Sequence, residues 1–585
     1  MSEVGKYKNL LTSDLRHLTS YYSGKYALFH KVSKTFCKSF NLFRYYCMRY
    51  HLKQNESIGN RMEPAYAQNR NSLLNRLSTQ PEWDLVVIGG GATGLGVALD
   101  AGSRGYSVLV LEQADFAKGT SSRSTKLVHG GVRYLAQGDV QLVREASIER
   151  GLLCRNAPHL VKNQTFIIPI YSQWDRLKYT IGLKLYDWIA GRLSLGASVF
   201  ISRAATIEKL PNVKTEGLVG GVLYHDGQFD DSRLAINLVQ TIFEQGGHAL
   251  NYVKVTGLLK NDRQHINGVV VKDTESGREF TCKAKAVVNC TGVFVDDILH
   301  MDNPAAPKSI TVSQGVHLVL DKKFLPSEDA LMIPATSDGR VLFAVPWHNK
   351  VVVGTTDTPV GEASLEPRAL EKEIAFILEN ASSYFVQKPQ RSDVLSVFAG
   401  LRPLAAPQKA EQKTKEISRS HKIIVSSSQL FTILGGKWTT FRKMGEDMVD
   451  RIEKELNWPH KKSGTRQMPV HGHTAVVNRN DPFYFYGSDT AQVKKLMNGH
   501  AAQWISESLQ IHEAQVIWAV KEEMARTVED VLSRRTRALL LDARESIRIA
   551  PTVAQVMAGL MNKDQAWIEQ QVNQFTQVAR QYILN

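Results

Sequence analysis

Asp84-Leu-Val-Val-Ile-Gly-Gly-Gly-Ala-Thr-Gly94, followed by Ser107-Val-Leu-Val-Leu-Glu112, is the stretch that decides the fold. Val86-Val87-Ile88 is a short β-branched run of the kind that forms a buried parallel strand. Gly89, Gly91 and Gly94 follow as G-x-G-x-x-G. A helix-length segment then runs to Gly105, a residue that tolerates the positive φ of a helix C′ position. Val108 to Leu111 reads as a second strand ending in Glu112. Gly89 permits the tight turn, Gly91 lets the backbone approach a pyrophosphate, and Gly94 allows close helix–sheet packing. The free N–H groups and dipole of the helix N-terminus favour the anion. Glu112, 18 residues beyond Gly94, stands where ribose hydroxyls would donate to it. Strand, helix, second strand and terminal acid in this order are the context that turns a weak fingerprint into a dinucleotide site.

The chain has 585 residues, too many for one core, and two to four domains are expected. Its composition is ordinary for a globular protein, at 43% hydrophobic and 22% charged. The five cysteines form no C-x-x-C pair, which argues for a reducing compartment and against a disulfide framework or zinc site; no metal is expected. No apolar run reaches the ~18 residues of a membrane span, so any membrane contact is expected to be peripheral.

The net charge of +15 is uneven. Residues 1–80 carry 13 Lys/Arg against 4 Asp/Glu and are rich in aromatic residues, as in Phe40-Asn-Leu-Phe-Arg-Tyr-Tyr-Cys-Met-Arg-Tyr50. This extension lacks the apolar core and cleavage site of a secretory signal. Three readings stay open: a basic membrane-surface patch, a disordered tail, or an upstream region foreign to the native product, with Met62 as an alternative start. Basic charge alone is a non-specific signal, and no nucleic-acid partner is expected.

After Glu112 comes Gly119-Thr-Ser-Ser-Arg-Ser-Thr-Lys-Leu-Val-His-Gly-Gly-Val-Arg-Tyr134. Small hydroxyl residues and paired glycines let the chain pass close to a large flat ligand. Here the sequence resembles the FAD-dependent (aerobic-type, quinone-linked) glycerol-3-phosphate dehydrogenases, within the D-amino-acid-oxidase-like flavoproteins. Matching motifs run from Asp84 to at least Ala543. A second buried strand running into a glycine, Ala286-Val-Val-Asn-Cys-Thr-Gly292, is what an interrupted and resumed cofactor domain requires. A strand-end turn is the competing reading of Gly292.

The resemblance implies an α/β fold: a Rossmann-like FAD-binding domain interrupted by an antiparallel-β substrate domain, plus an α-helical C-terminal domain. The expected boundaries are 1–80 for the extension, 81–445 for the interleaved FAD-binding and substrate domains, and 446–585 for the helical domain. Strands are expected at Gly315–Leu320, Val341–Pro346 and Val351–Gly354, with a hairpin connection at His348-Asn349-Lys350. Ile423–Val425 and Leu430–Leu434 read as further strands of the same antiparallel sheet. Asp226–Arg233 reads as a polar turn opening a helix. Trp174–Leu193 places Leu177, Ile181, Leu185 and Trp188 at helical spacing among Arg176, Lys178, Lys184 and Arg192. It fits either a membrane-surface helix or one packed on the core. Arg534-Arg535-Thr-Arg537 reads as a solvated or salt-bridged cluster, and Thr527 with Asp530 as a helix cap.

Oxidation of glycerol 3-phosphate needs cationic donors for a phosphate dianion, a hydride acceptor and a group to take the C2 hydroxyl proton. The matching motifs imply Arg402 (A-G-L-R-P-L) and Arg419 (I-S-R-S) on the phosphate, Lys437 (G-G-K-W) near flavin and substrate, and Arg133 with Tyr134 at the site's edge. His317 is the expected base, since an unperturbed pKa near 6.5 suits proton transfer; a satisfied core histidine competes with that reading. Expected cofactor contacts are Gly89, Gly91, Gly94, Glu112, Thr120, Ser121, Ser124, Gly130, Gly131, Gly292, Gly435, Gly436 and Lys437. FAD is expected to be non-covalent. The resemblance further implies a membrane quinone as acceptor, a peripheral station on the inner face of the cell membrane, and admits a homodimer. The rivals are an oxidase of the same fold passing electrons from an amine or amino acid to O2, and a non-catalytic flavin-binding protein.

Overall fold

A computed structural model describes residues 70–131, 139–191, 194–406, 421–497 and 503–584. The strand Trp83–Ile88 lies at the centre of the first sheet. Val108–Leu111 runs parallel to it on one side and Glu279–Asn289 on the other. His248–Leu250 and Leu430–Gly435 extend the two flanks, again parallel, and His421–Val425 closes one edge antiparallel. Leu85–Ile88 and Val108–Leu111 are wholly apolar and buried because both faces are covered. The helix Ala92–Ser103 packs on one face, and Gly105 follows its C-cap at φ +78 as the sequence predicts.

A second helix, Phe441–Glu455, crosses Ala92–Ser103 at bare backbone. A Cβ on Gly445 would stand 2.2 Å from the Gly96 carbonyl oxygen, and one on Gly96 would stand 2.5 Å from that of Phe441. Only glycine at both positions permits this approach.

Among the described residues the second sheet has ten strands. Ile310–Asp321 runs antiparallel to Lys350–Gly354, Thr358–Val360 and the equally long Val394–Ala405. Leu342–Trp347 and Lys350–Gly354 form the expected hairpin, turned by His348 and Asn349 at φ +44 and +58. That positive-φ pair suits the right-handed strand twist.

Three expectations need correction. Ile423–Val425 and Leu430–Leu434 belong to the first sheet, where Leu430–Gly435 pairs parallel with Glu279–Asn289. Asp226 lies inside a strand, Gly220–Phe229, and only Asp230 opens the helix Asp231–Glu244, its side chain accepting from the Arg233 amide. The residue at 226 is polar yet buried because Arg150 pairs with it at 2.7 Å and the Tyr186 hydroxyl donates to it at 3.1 Å. Finally, the helix Arg70–Thr79, within the stretch read as an extension, buries Leu73, Leu74 and Leu77 and pairs Arg70 with Asp273 at 2.7 Å.

Beyond residue 456 the chain is mainly helical. Its core residues, Val531, Leu539, Val553 and Phe575 among them, share one apolar cluster with Val319, Trp347, Val352 and Phe398 of the second sheet. Thr527 and Asp530 cap each other reciprocally: the Asp530 amide donates to Thr527 Oγ1 at 3.2 Å and the Thr527 amide to Asp530 Oδ2 at 3.0 Å. Arg534, Arg535 and Arg537 are buried and salt-bridged, to Asp115 in the first two cases and to Asp230 in the third.

Among the described residues no helix is long and apolar enough to cross a membrane. The helix Gln173–Ala190 instead carries an exposed apolar face. Trp174 is 82% and Trp188 79% exposed, with Leu177, Ile181 and Leu185 between them. Its opposite side buries Leu183 and Tyr186.

Candidate active site

Gly89 has φ +108, and a Cβ there would meet the Cys290 carbonyl oxygen at 2.7 Å. The turn after the first strand is therefore pressed against the end of Glu279–Asn289. A cavity of about 280 Å³ opens in front of this turn. Its wall includes Gly89 and Gly91, then Glu112, Gly119, Thr120 and Ser121, then Thr291 and Gly292, and finally Gly435, Gly436, Lys437 and Trp438. Sequence-distant segments thus meet around one elongated hollow, as the interrupted domain requires.

The donors around it are specific. Ser121 Oγ accepts from the Ala92 amide at 2.9 Å, holding the start of the glycine-rich helix, and the Ser121 carbonyl accepts from Trp438 Nε1 at 2.8 Å. Glu112 accepts from the amides of Gly90 and Ala114 at 2.8 and 2.9 Å. Burial pushes its carboxyl above the usual range, and these two amides oppose that shift. Gly119 and Gly292 present open space where a side chain would be. An acid beside a glycine turn at a helix N-terminus, with glycine-cleared walls, is the donor set that a dinucleotide takes.

Four of the expected cofactor residues are absent from the wall. Gly94 packs inward, where a Cβ would lie 1.9 Å from the Gly89 carbonyl oxygen. Ser124 donates to Asp231 Oδ2 at 2.6 Å. Gly130 packs against the Tyr186 hydroxyl, and its amide donates to Asp226 Oδ1 at 3.3 Å, while Gly131 follows at φ +83. Arg133, Tyr134 and Arg419 lie outside the described residues.

From the cavity wall the segment Gly119–Lys126 crosses onto the second sheet. Thr120 Oγ1 donates to the Leu401 carbonyl at 2.6 Å, the Arg123 backbone lies over Gly400, and Thr125 Oγ1 stands 2.9 Å from His317 Nε2. Lys126 pins the far end: its Nζ, fully buried, bonds both carboxylate oxygens of Asp231 at 2.8 and 2.7 Å and the Ser122 carbonyl at 2.7 Å. Burial lowers the Lys126 pKa even so.

The sheet face beneath this segment is cleared by glycine. The register pairs Ser313 with Arg402, Gly315 with Gly400, and His317 with both Phe398 and Gly354, so all share one face. A Cβ at Gly315 would meet Arg402 Nη2 at 2.2 Å, and one at Gly354 would meet the His317 ring at 2.3 Å. The Arg402 guanidinium lies across Gly315, with Nη2 donating to Thr355 Oγ1 at 3.1 Å and Nη1 to Asp357 Oδ1 at 3.4 Å; about a quarter of its side chain is exposed. Asp357 is itself held by the Ser313 hydroxyl.

His317 is buried and stacks on Phe398 with ring centroids 4.8 Å apart. Its Nδ1 has no hydrogen-bond partner among the described residues. Burial first, then the cations of Arg402 and Lys126, hold its pKa well below the ordinary value, so the ring is neutral and its protonation is opposed until one of those cations is offset. Sequence reasoning passed over Thr125, Thr355, Asp357 and the glycines at 315, 354 and 400. The signal available was Gly315-Val-His317, a glycine two residues from a histidine on the same strand face.

The family model for FAD dependent oxidoreductases matches residues 84–436, and that for the C-terminal domain of alpha-glycerophosphate oxidase matches residues 431–568. A probable mitochondrial glycerol-3-phosphate dehydrogenase of Dictyostelium discoideum is 39% identical over 530 residues, covering 83% of each chain. The mitochondrial glycerol-3-phosphate dehydrogenase of Homo sapiens is 36% identical over 532 residues, covering 85% of this chain and 73% of the human one. The crystal structure of glycerol-3-phosphate dehydrogenase from Bacillus halodurans complexed with FAD superposes with a TM-score of 0.73 at 29% identity, covering 88% of this chain and 98% of that one. A glycine-walled dinucleotide cavity, joined by one segment to a histidine–arginine sheet face, is thus accompanied by likeness along most of the chain, and the chain belongs to the FAD-dependent oxidoreductases, in the family of the glycerol-3-phosphate dehydrogenases.

Proposed function

We propose that the protein oxidises sn-glycerol 3-phosphate to dihydroxyacetone phosphate and passes the electrons to a membrane quinone. The observation that carries this reading is the segment Gly119–Thr125, which lines the cavity at one end and touches His317 at the other. FAD, when bound in the cavity, supplies the hydride acceptor. The rest is done by the chain. Arg402 offers a planar, always-charged fork to the substrate phosphate from a partly open position, and Arg419 is its proposed partner. His317, neutral and buried, takes the C2 hydroxyl proton, with Thr125 fixing the ring through Nε2. A phosphate dianion beside Arg402 offsets one of the two cations that depress the histidine, so the base strengthens as substrate binds. Lys437 acts at the flavin end of the cavity, and Arg133 with Tyr134 at its edge. The glycines of the cavity wall, with Glu112, Thr120 and Ser121, hold the dinucleotide, and Gly94 supports Gly89 from behind.

The proposed domain organisation has the cofactor and substrate parts interleaved up to about residue 445 and a helical domain beyond. For the membrane, the exposed face of Gln173–Ala190 supports docking: two tryptophans frame three aliphatic side chains, with Arg176, Lys178 and Lys184 on the same helix. Amphipathic helices of this make-up lie at the headgroup boundary of anionic bilayers. The relatives are named as mitochondrial, and the proposal for this chain is a peripheral station on whichever membrane holds its quinone. A homodimer remains compatible with it.

The match of residues 431–568 to an oxidase's C-terminal domain favours one other reading, transfer of the electrons to O2. Turnover of glycerol 3-phosphate with a soluble quinone analogue under nitrogen, and peroxide measured in air, separates the two. Anaerobic quinone reduction with little peroxide is expected. Stoichiometric peroxide without quinone reduction would replace the dehydrogenase by the oxidase.

A further inference from the structure

The turn that follows Glu112 lines the cavity with Gln113, Ala117, Lys118 and Gly119, yet its central acid, Asp115, faces away from it and is fully buried. Two arginines from the helical C-terminal region close on that carboxylate. Arg534 Nε donates to Asp115 Oδ2 at 2.5 Å, Arg535 Nη1 donates to the same oxygen, and Arg535 Nη2 donates to Oδ1 at 3.0 Å. Burial alone would push Asp115 up, but the two guanidiniums hold it down to about 2, so the pair is fully charged at neutral pH. Five residues before Arg534, at the N-cap of the π-helical turn Asp530–Arg535, Glu529 bridges Arg534 Nη1 at 3.0 Å and Lys118 Nζ at 2.8 Å. Lys118 also stands 3.7 Å from Glu366, whose neighbour Leu365 lines the cavity opposite.

We infer that the C-terminal helical region is part of the cofactor site: the Asp115–Arg534/Arg535 and Lys118–Glu529 contacts fix the turn after Glu112 and thereby set the affinity for FAD. A clamp of this kind raises affinity by preorganisation, because the ordering cost is met in the folded protein before the ligand arrives. It assigns positioning residues in a region that otherwise carries no chemistry of the reaction, and it rests on the FAD reading of the cavity.

The full-length protein, stripped of flavin and titrated with FAD while flavin fluorescence is followed, tests it. Glu529 is 16% exposed and its partner charge is on a long side chain, so Glu529→Gln is compatible with folding. Glu529→Gln is expected to weaken FAD binding about tenfold while the melting temperature of the FAD-free protein stays that of the wild type. Glu529→Asp, which keeps the charge but withdraws it by one methylene, is expected to fall between the two. An unchanged FAD affinity in Glu529→Gln, or a loss that goes in step with a lower melting temperature of the FAD-free protein, overturns the clamp. A wild-type chain that takes up no FAD would instead overturn the cofactor reading itself.

Discussion

Gly315→Ala tests the sheet face without removing any polar group from it. The new Cβ would stand 2.2 Å from Arg402 Nη2, and ordinary contact begins near 3.4 Å, so the guanidinium must retreat by about 1.2 Å. The obstructed atom ends a long flexible side chain, and the strand backbone at 315 needs no unusual φ, so the fold should survive. A retreat of that size takes one fork of the guanidinium out of hydrogen-bond range of a phosphate seated for the wild type. A charge-assisted bond contributes about 1.5–3 kcal/mol, which corresponds to roughly a ten- to hundredfold fall in kcat/KM. Most of it should appear in KM, because the phosphate is held equally in ground and transition states. The assay is steady-state dye reduction with glycerol 3-phosphate at saturating FAD, with Arg402→Ala alongside for the full loss. Gly315→Ala within twofold of wild type, while Arg402→Ala is severely impaired, would refute the account of how Arg402 is seated.

His471 joins Glu244 and Asp489, at 2.6 and 2.7 Å. Burial works against its charge, but Asp489 and then Glu244 raise its pKa to about 9. A raised folded-state pKa means stability that is complete below pH 6.5 and lost as pH climbs through about 9. His471→Gln should therefore cost on the order of 2 kcal/mol at pH 6, after allowing for the exposure of Glu244, and much less at pH 9.5. Equal shifts in urea midpoint at both pH values would contradict the charged pairing. Replacing Trp174 and Trp188 together by Ser should weaken cosedimentation with vesicles containing anionic phospholipid at least about tenfold and leave turnover of glycerol 3-phosphate with a soluble acceptor intact. Undiminished vesicle binding by that variant would move the docking surface elsewhere.

What was legible in the sequence was set by local sterics. The G-x-G-x-x-G turn reads off directly because Gly89 and Gly94 are fixed by contacts with their own strand, turn and neighbour. The partition of strands between sheets was not legible: Leu430–Gly435 and Lys350–Gly354 have similar apolar runs, and only the long-range pairing of the former with Glu279–Asn289 separates them. Asp226 was read as a turn residue because a lone acid in a sequence looks solvated, whereas its partner Arg150 lies 76 residues earlier. The same distance effect hid the destination of Arg534, whose partner Asp115 is 419 residues away. The Trp174–Trp188 helix carried the opposite ambiguity: spacing defined the face, and only the fold could say that no core of the described residues lies against it.

The most direct measurement is visible absorption of the purified protein under nitrogen while glycerol 3-phosphate is added. Loss of the oxidised-flavin band near ~450 nm, complete at about one equivalent of substrate per flavin, is the predicted result. A yellow protein whose band is untouched by the substrate would contradict the assignment of the histidine–arginine face to glycerol 3-phosphate.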